Sequence, residues 1–175
     1  HRRYEEKPSE NYLESLSKIL GFKCKGKPKL YFPKEKINNW VGICLGGKGL
    51  YRKWPAKNYS ELLNKLAGKY KTTFVLFGDK KDVPFAEQLK SGLDENVKII
   101  NFVGKTNLKE TIKNIKKCKF VVSHDCGLLH LAIAGGVPVI GIFGPTSPER
   151  LLPKSEKVTY VWKGNNPSIK GTFQY

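Results

Sequence analysis

The sequence predicts an α/β fold: a mostly parallel sheet covered by helices on both faces. Two observations support this prediction. Short apolar runs alternate along the chain with segments whose apolar residues recur at helical spacing. Several of these runs are also continuously apolar, which is typical of parallel strands buried on both sides.

The predicted strands are the apolar runs rich in β-branched and aromatic residues. They cover 40–45, 72–77, 97–102, 119–123, 138–143 and 157–162. The predicted helices between them cover 58–70, 83–89, a segment after Thr106, and 127–136.

Local signals mark the ends of these helices. Asn58 and Glu61 have the spacing of a capping box at the start of the first helix. Thr106 is expected to cap the third helix, with Leu108 and two isoleucines on its inner face. The glycines at 135 and 136 are expected to end the fourth.

Residues 1–39 differ in character from the rest of the chain. Apolar residues recur at helical spacing in 9–20, and a Lys-, Pro- and Asn-rich stretch follows. We expect 1–39 to be an interdomain helix and linker from a preceding, missing domain, and 40–175 to be the folded domain. The chain begins with His and contains no Met, so we expect it to be a fragment.

Composition narrows the classes of function. The 175 residues carry a net charge of +17, from 32 Lys+Arg against 15 Asp+Glu. This favours anionic partners such as nucleic acid, anionic lipid or phosphorylated small molecules, although a Lys-rich solvated surface explains it equally well. No aromatic-plus-basic recognition motif stands out, so nucleic acid is not the expected partner.

Membrane and metal signals are weak in the sequence. No apolar run has the length of a membrane span, and nothing at the start reads as a signal peptide. The four cysteines form no Cys-x-x-Cys pair and have no zinc-like spacing with the histidines, so no metal site is expected. We interpret them as free thiols in a reducing compartment.

Three loops of unusual composition leave predicted strand ends, at 46–55, 123–127 and 144–148. In open α/β sheets, ligands bind beyond the carboxyl ends of the strands. The first loop, GGKGLYRKWP, combines flexible backbone with Lys48, Arg52 and Lys53, which could neutralise a diphosphate. In the third loop, Gly144 and Thr146 could contact a ligand, or the segment is an ordinary Pro-rich turn.

The second loop, SHDCG, opens a predicted helix. Asp125 is expected to be its N-cap. Gly127 would let a ligand approach backbone amides, and a helix N-terminus suits a phosphate. His130 follows one turn later, either meeting a diphosphate or sugar hydroxyl, or packing half-buried under the sheet.

Nucleophilic catalysis and two phosphate motifs receive little support. Ser123, His124 and Asp125 are consecutive, so they cannot converge as a triad. Cys126 lies near a helix start and could be a nucleophile, but the sequence identifies no base for it. The segments at 104–106 and 47–49 lack glycines that a P-loop and a dinucleotide fingerprint require.

Five segments together resemble one family. They are the Gly-rich strand end with RKWP at 52–55, FVLFGDKKD at 74–82, FVGKTNLKE at 102–110, the long block VVSHDCGLLHLAIAGGVPVIGIFGPTSPER at 121–150, and Pro153. They resemble the C-terminal, nucleotide-sugar-binding domain of the lipopolysaccharide heptosyltransferases, glycosyltransferase family 9. The resemblance runs from about Val41 to Trp162.

The resemblance implies a Rossmann-like domain that forms the C-terminal, donor-binding half of a GT-B fold. It implies transfer of heptose, with inversion and without a metal or other cofactor, from an ADP-activated sugar to a lipid A/Kdo-type lipopolysaccharide acceptor. The family's catalytic base belongs to the N-terminal domain, so no residue of this chain is expected to be catalytic. The expected location is cytoplasmic and peripheral to the anionic inner membrane of a bacterium.

The resemblance also implies roles for single positions. Arg52 stands where the family has a Lys that faces the donor phosphates, and Asp82 lies near an acidic residue that holds nucleoside hydroxyls. Asp125, Gly127 and His130 match the family's donor-site Asp, Gly and His. Two departures are Cys126, where Ser or Thr is common, and His124, where Asn is common.

The full expected donor-binding set comprises Gly47, Lys48, Arg52, Asp82, Asp125, Cys126, Gly127, Leu128 and His130. In this interpretation the backbone amides at 126–128 and the Arg52 cation hold the diphosphate and stabilise the charge that develops on it. Two alternatives remain: a non-catalytic basic module that binds nucleic acid or other polyanions, and a cysteine hydrolase that uses Cys126.

Overall fold

The computed structural model describes residues 33, 35–47 and 52–163. The predicted helix at 9–20 and Lys48 lie outside the described residues, and so does most of the linker. The expected boundary at residue 39 therefore stays a prediction.

The described residues form one six-stranded sheet in the order β3-β2-β1-β4-β5-β6. The strands are β1 (Trp40–Cys44), β2 (Thr73–Phe77), β3 (Ile99–Asn101), β4 (Phe120–His124), β5 (Val139–Phe143) and β6 (Val158–Trp162). Every neighbouring pair is parallel. The predicted α/β fold with a mostly parallel sheet is confirmed.

Helices follow the strands in alternation. They are α1 (Ala56–Ala67), α2 (Val83–Lys90), α3 (Leu108–Ile115), α4 (Gly127–Ala134) and the short α5 (Pro148–Leu151), with a 3-10 turn at Lys80–Asp82 before α2. The sequence did not predict α5. None of the helices in the described part of the chain is long and apolar enough to cross a membrane.

Two hydrophobic cores lie on opposite faces of the sheet. On one face, Val41 and Ile43 of β1 pack with Tyr59 and Leu63 of α1. On the other, Cys44 joins a cluster that includes residues of α4 and β5. Successive strand residues point to opposite faces, so a strand covered on both sides must be apolar throughout.

The predicted N-caps of the first and third helices are wrong. Helix α1 begins at Ala56, with Pro55 at its N-cap, and no side chain caps it. The Pro55 carbonyl accepts the amides of Asn58 and Tyr59, which places Asn58 inside the first turn. Proline has no backbone N–H and a fixed φ that suits a helix start, so it sets the boundary earlier than the pattern predicted.

Helix α3 begins one residue later than the predicted cap implied. Asn107 is its N-cap and forms a capping box with Glu110. The Thr106 hydroxyl instead pairs with that of Thr111, at 2.8 Å. Leu108, predicted to face inward, is 61% exposed, while Thr111 is buried.

The strand order reverses between β1 and β4. Chain segments leaving neighbouring strands at such a point diverge, and they open a crevice at the carboxyl ends. The loops after β1 and β4 are the first and second loops singled out by the sequence.

Candidate functional site

The loops after β1 and β4 touch at Gly47. Its φ is +137°, a conformation that side chains other than glycine rarely adopt. A Cβ at this position would lie 3.2 Å from the Cβ of Cys126. Glycine therefore allows the first loop to pass directly over the second.

Helix α4 starts at the edge of this crevice. Its N-cap is Cys126, whose side chain makes no capping hydrogen bond. The expectation that Asp125 is the N-cap is wrong, because α4 begins at Gly127 and the cap lies one residue later than expected. A Cβ built on Gly127 would meet no heavy atom within 4 Å. The positive end of the α4 dipole, with amides that lack intrahelical acceptors, thus borders open space and suits an anion.

Asp125 joins all three loops that the sequence singled out. Its carboxyl group is buried, and Oδ2 accepts a hydrogen bond from Thr146 Oγ1 at 3.0 Å. The same oxygen lies 3.5 Å from Nη1 of Arg52, whose side chain is 32% exposed. Arg52 is thereby held at the crevice with part of its side chain accessible.

A second carboxylate, Asp82, ties the loop after β1 to the loop after β2. Its Oδ1 lies 2.6 Å from Lys53 Nζ, and its Oδ2 accepts the amide of Asp79 at 2.9 Å. Lys53 also lies over the ring of Phe85, 5.2 Å from its centroid. Asp82 is buried and makes these internal bonds, so it fixes the shape of the crevice wall.

His124 does not face the crevice. Its ring is fully buried between the first loop and α1. Nε2 lies 2.8 Å from the Gly46 carbonyl oxygen, and Nδ1 lies 3.1 Å from the hydroxyl of Tyr59. Burial lowers the pKa of His124 to about 4, so the ring is neutral at physiological pH.

His130 lies on the outer side of α4 and is exposed. This exposure favours the interpretation that it can meet a ligand over the one that it packs under the sheet. Partial removal of water by neighbouring atoms lowers its pKa, and the negative charge of Asp125 opposes this effect. The imidazole is therefore close enough to Asp125 to sense its charge.

Cys126 lacks the properties of a nucleophile. It is buried, and its Sγ lies 3.3 Å from Ser123 Oγ. Burial raises the pKa of the thiol, which disfavours the reactive thiolate. Cys44 and Cys118 are also free and buried, so the prediction of free thiols holds for the cysteines that the structure describes. The cysteine-hydrolase alternative has no support here.

A cleft of about 340 Å³ extends from the crevice across the ends of β1, β2 and β3. Leu108, Leu128 and Leu131 give it apolar lining, and Asp79 and Thr106 add polar groups. Such a mixture suits a flat organic group with a few hydrogen-bonding atoms. Within the described residues, no cluster of three or more His, Cys, Asp or Glu side chains could hold a metal ion.

The structure brings most of the predicted donor-binding residues to one place. Gly47, Arg52, Asp125, Cys126 and Gly127 surround the crevice, and Leu128 lines the adjoining cleft. Sequence reasoning missed Tyr59 and the inward role of His124. No sequence signal could have found that pair, because the two residues are 65 positions apart.

Comparison with known proteins gives one family. The family model for glycosyltransferase family 9 (heptosyltransferase) matches residues 12–173. Lipooligosaccharide heptosyltransferase 2 of Haemophilus influenzae is 37% identical over 124 residues, which are 69% of this chain and 36% of that protein. Lipopolysaccharide heptosyltransferase 2 of Escherichia coli is 32% identical over 125 residues, 69% of this chain and 35% of that protein. The chain thus spans about a third of the length of these relatives.

Solved structures of heptosyltransferases also resemble this chain. The E. coli ADP-heptose lipopolysaccharide heptosyltransferase II superposes with a TM-score of 0.65 and 26% identity, covering 89% of this chain and 44% of that one. E. coli heptosyltransferase WaaC, solved with ADP, has a TM-score of 0.71 and 23% identity, covering 93% of this chain and 52% of that one. At that identity the second likeness speaks for the fold alone.

Proposed function

The chain belongs to glycosyltransferase family 9, the heptosyltransferases, and on that premise we propose that it is the donor-binding domain of an inverting glycosyltransferase. The proposed reaction transfers heptose from an ADP-activated sugar to the inner core of lipopolysaccharide. The observation that carries the proposal is the crevice between β1 and β4, where Gly47, the start of α4 and Arg52 converge.

The donor's diphosphate is proposed to lie against the start of α4. There the amides at 126–128 offer hydrogen bonds, and the absence of a side chain at Gly127 leaves room for close approach. Arg52 supplies the positive charge, and Asp125 fixes its position from 3.5 Å. His130, one turn along α4, is proposed to contact the sugar.

The nucleoside is proposed to occupy the adjoining cleft. Its volume of about 340 Å³ and its leucine lining suit a purine base, and the polar groups of Asp79 and Thr106 suit ribose hydroxyls. The resemblance to the family implies a hydroxyl-binding role for Asp82, which lines the same cleft. Its internal bonds to Lys53 and Asp79 give it a structural task in addition.

The proposed chemistry is electrostatic. As the glycosidic bond breaks, negative charge builds on the leaving nucleoside diphosphate, and prearranged amides and a guanidinium stabilise it without moving a proton. The base that activates the acceptor is proposed to lie in a part of the enzyme outside this chain. The chain alone is therefore proposed to bind the donor and to be inactive, with no metal required.

The proposed setting is the cytoplasmic face of a bacterial inner membrane, where a lipid acceptor would be presented. The net charge of +17 supports contact with anionic lipid.

Calorimetric titration with ADP and then UDP, at two salt concentrations, tests the proposal. We expect saturable binding that favours ADP and survives the higher salt. Arg52→Ala should weaken ADP binding about tenfold or more, since a charge-assisted hydrogen bond is lost. Arg150→Ala is the matched control, because it removes an equal charge from an exposed position on α5. Weak binding of both nucleotides, erased by salt and reduced equally by both variants, would leave only a basic surface.

A further inference from the structure

The buried ring of His124 fixes the orientation of one peptide in the first loop. A carbonyl oxygen can only accept, so the 2.8 Å contact requires that Nε2 of His124 donates to the Gly46 carbonyl. The ring is neutral, so Nδ1 then carries no proton and accepts from the Tyr59 hydroxyl at 3.1 Å. The Tyr59 oxygen in turn accepts the backbone amide of His124 at 3.2 Å.

This closed set of bonds specifies a single tautomer. Each ring nitrogen has a partner, the Gly46 carbonyl or the Tyr59 hydroxyl. Tyr59 is fully buried in α1, and His124 itself ends β4, so the ring is held from both sides. The Gly46 carbonyl is therefore held toward the interior by a group that cannot easily rotate or leave.

The orientation of the Gly46 carbonyl fixes the direction of the next backbone amide, that of Gly47. No peptide among the described residues is cis, and in a trans peptide the N–H points opposite to the preceding C=O. Because the Gly46 carbonyl points inward to His124, the Gly47 N–H points away from the interior. Gly46 and Gly47 both line the cleft described above, and so do Gly127 and Leu128 at the start of α4, where the diphosphate is proposed to lie.

We propose that His124 is a positioning residue for the anion site: through Gly46 it holds the Gly46–Gly47 peptide so that the Gly47 amide is presented to the donor's diphosphate. The inference rests on the proposed function, since it assigns one more hydrogen-bonding group, the Gly47 amide, to the same diphosphate. It gives the His at this position a task that its place in the sequence, next to Asp125, did not suggest.

The paired variants His124→Gln and His124→Asn separate this role from simple core filling. The Gln amide nitrogen reaches the place of Nε2 and can still donate to Gly46, whereas the shorter Asn amide reaches only the place of Nδ1, near Tyr59. Both substitutes are neutral amides, so they differ mainly in which hydrogen bond survives.

The first readout needs no ligand. In His124→Asn the Gly47 amide should shift in the ¹H–¹⁵N spectrum and exchange faster with solvent, while His124→Gln should stay close to the wild type. In the wild type, long-range ¹H–¹⁵N spectra should show the Nε2–H tautomer of His124. An Nδ1–H tautomer would overturn the proposal even if both variants failed to fold.

The second readout compares ADP with adenosine. We expect His124→Asn to weaken ADP about tenfold, the usual effect of losing one hydrogen bond to a charged group, and to leave adenosine unchanged. Equal losses for both ligands, or equal behaviour of the two variants, would reduce His124 to a structural residue. Failure of the wild type to bind ADP would instead overturn the proposed function, and the ligand-free spectra would still decide whether His124 holds the peptide.

Discussion

The ion pair of Lys53 and Asp82 allows a test of how strongly burial affects the stability cost of breaking an ion pair in this protein. The side chains are 12% and 4% exposed, and their charged atoms lie 2.6 Å apart. Lys90 and Glu87 form a second pair at 2.9 Å, but with 40% and 56% exposure. Lys53→Met and Lys90→Met are therefore matched substitutions at similar distances in different surroundings.

The two substitutions are expected to lower the free energy of unfolding by amounts that differ severalfold. Lys53→Met keeps most of the side-chain volume but leaves the Asp82 carboxylate buried, with the Asp79 amide as its remaining bond. Breaking a buried pair in this way costs about 3–5 kcal/mol, and the surviving amide bond favours the lower end. Lys90→Met should cost about 0–0.5 kcal/mol, because water screens and replaces an exposed partner.

Urea unfolding followed by circular dichroism measures both losses, with the slope m compared to confirm that the unfolding reaction is unchanged. Lys53→Met combined with Asp82→Asn should be more stable than Lys53→Met alone, since no unpaired charge is then buried. Similar losses for Lys53→Met and Lys90→Met would refute the reasoning, and so would a double variant less stable than Lys53→Met.

Three further predictions follow from the site. Burial lowers the pKa of His124 from 6.5 in the unfolded chain to about 4 in the folded protein, so between these pH values the unfolded state binds more protons. The free energy of unfolding should therefore fall by roughly 3 kcal/mol as the pH is lowered from 6.5 to 4. His124→Gln should lack this part of the pH dependence. Iodoacetamide should leave Cys126 unmodified in the folded protein, as detected by mass spectrometry, and Cys126→Ser should leave ADP affinity unchanged; rapid selective alkylation would revive the hydrolase alternative. Gly127→Ala should keep thermal stability, because the new methyl group meets only open space in the protein, yet it should weaken ADP binding, because the methyl group takes up room at the start of α4. Gly47→Ala should cost about 1–3 kcal/mol of stability through its φ of +137°. Equal melting temperatures for the two variants would contradict this expectation.

The strands were predictable because their signal is local. A parallel strand covered on both faces must be apolar at every position, and that requirement is visible within five or six residues. The predicted 119–123 and 138–143 lie within one residue of the observed β4 and β5. Helix starts were less predictable because neighbouring residues compete for the same role, as Thr106 and Asn107 do at α3.

The candidate site was predictable in outline but not in the contacts that connect its loops. Glycines and a cation after β1, and SHDCG after β4, indicated which loops matter, because parallel strands bring their carboxyl ends to one edge. The contacts that shape these loops join residues 29 positions apart in Lys53–Asp82 and 65 apart in Tyr59–His124. Such pairs depend on the packing of α1 against the sheet, which no local pattern encodes.

The contact between Arg52 and Asp125 bears on how tightly the proposed site can hold a nucleotide. Asp125 Oδ2 lies 3.5 Å from the guanidinium, so a bound diphosphate would share this cation with a carboxylate of the same sign as itself. That competition would lower the affinity for the donor and for the nucleoside diphosphate released after transfer, and would therefore shorten the time for which the product stays bound.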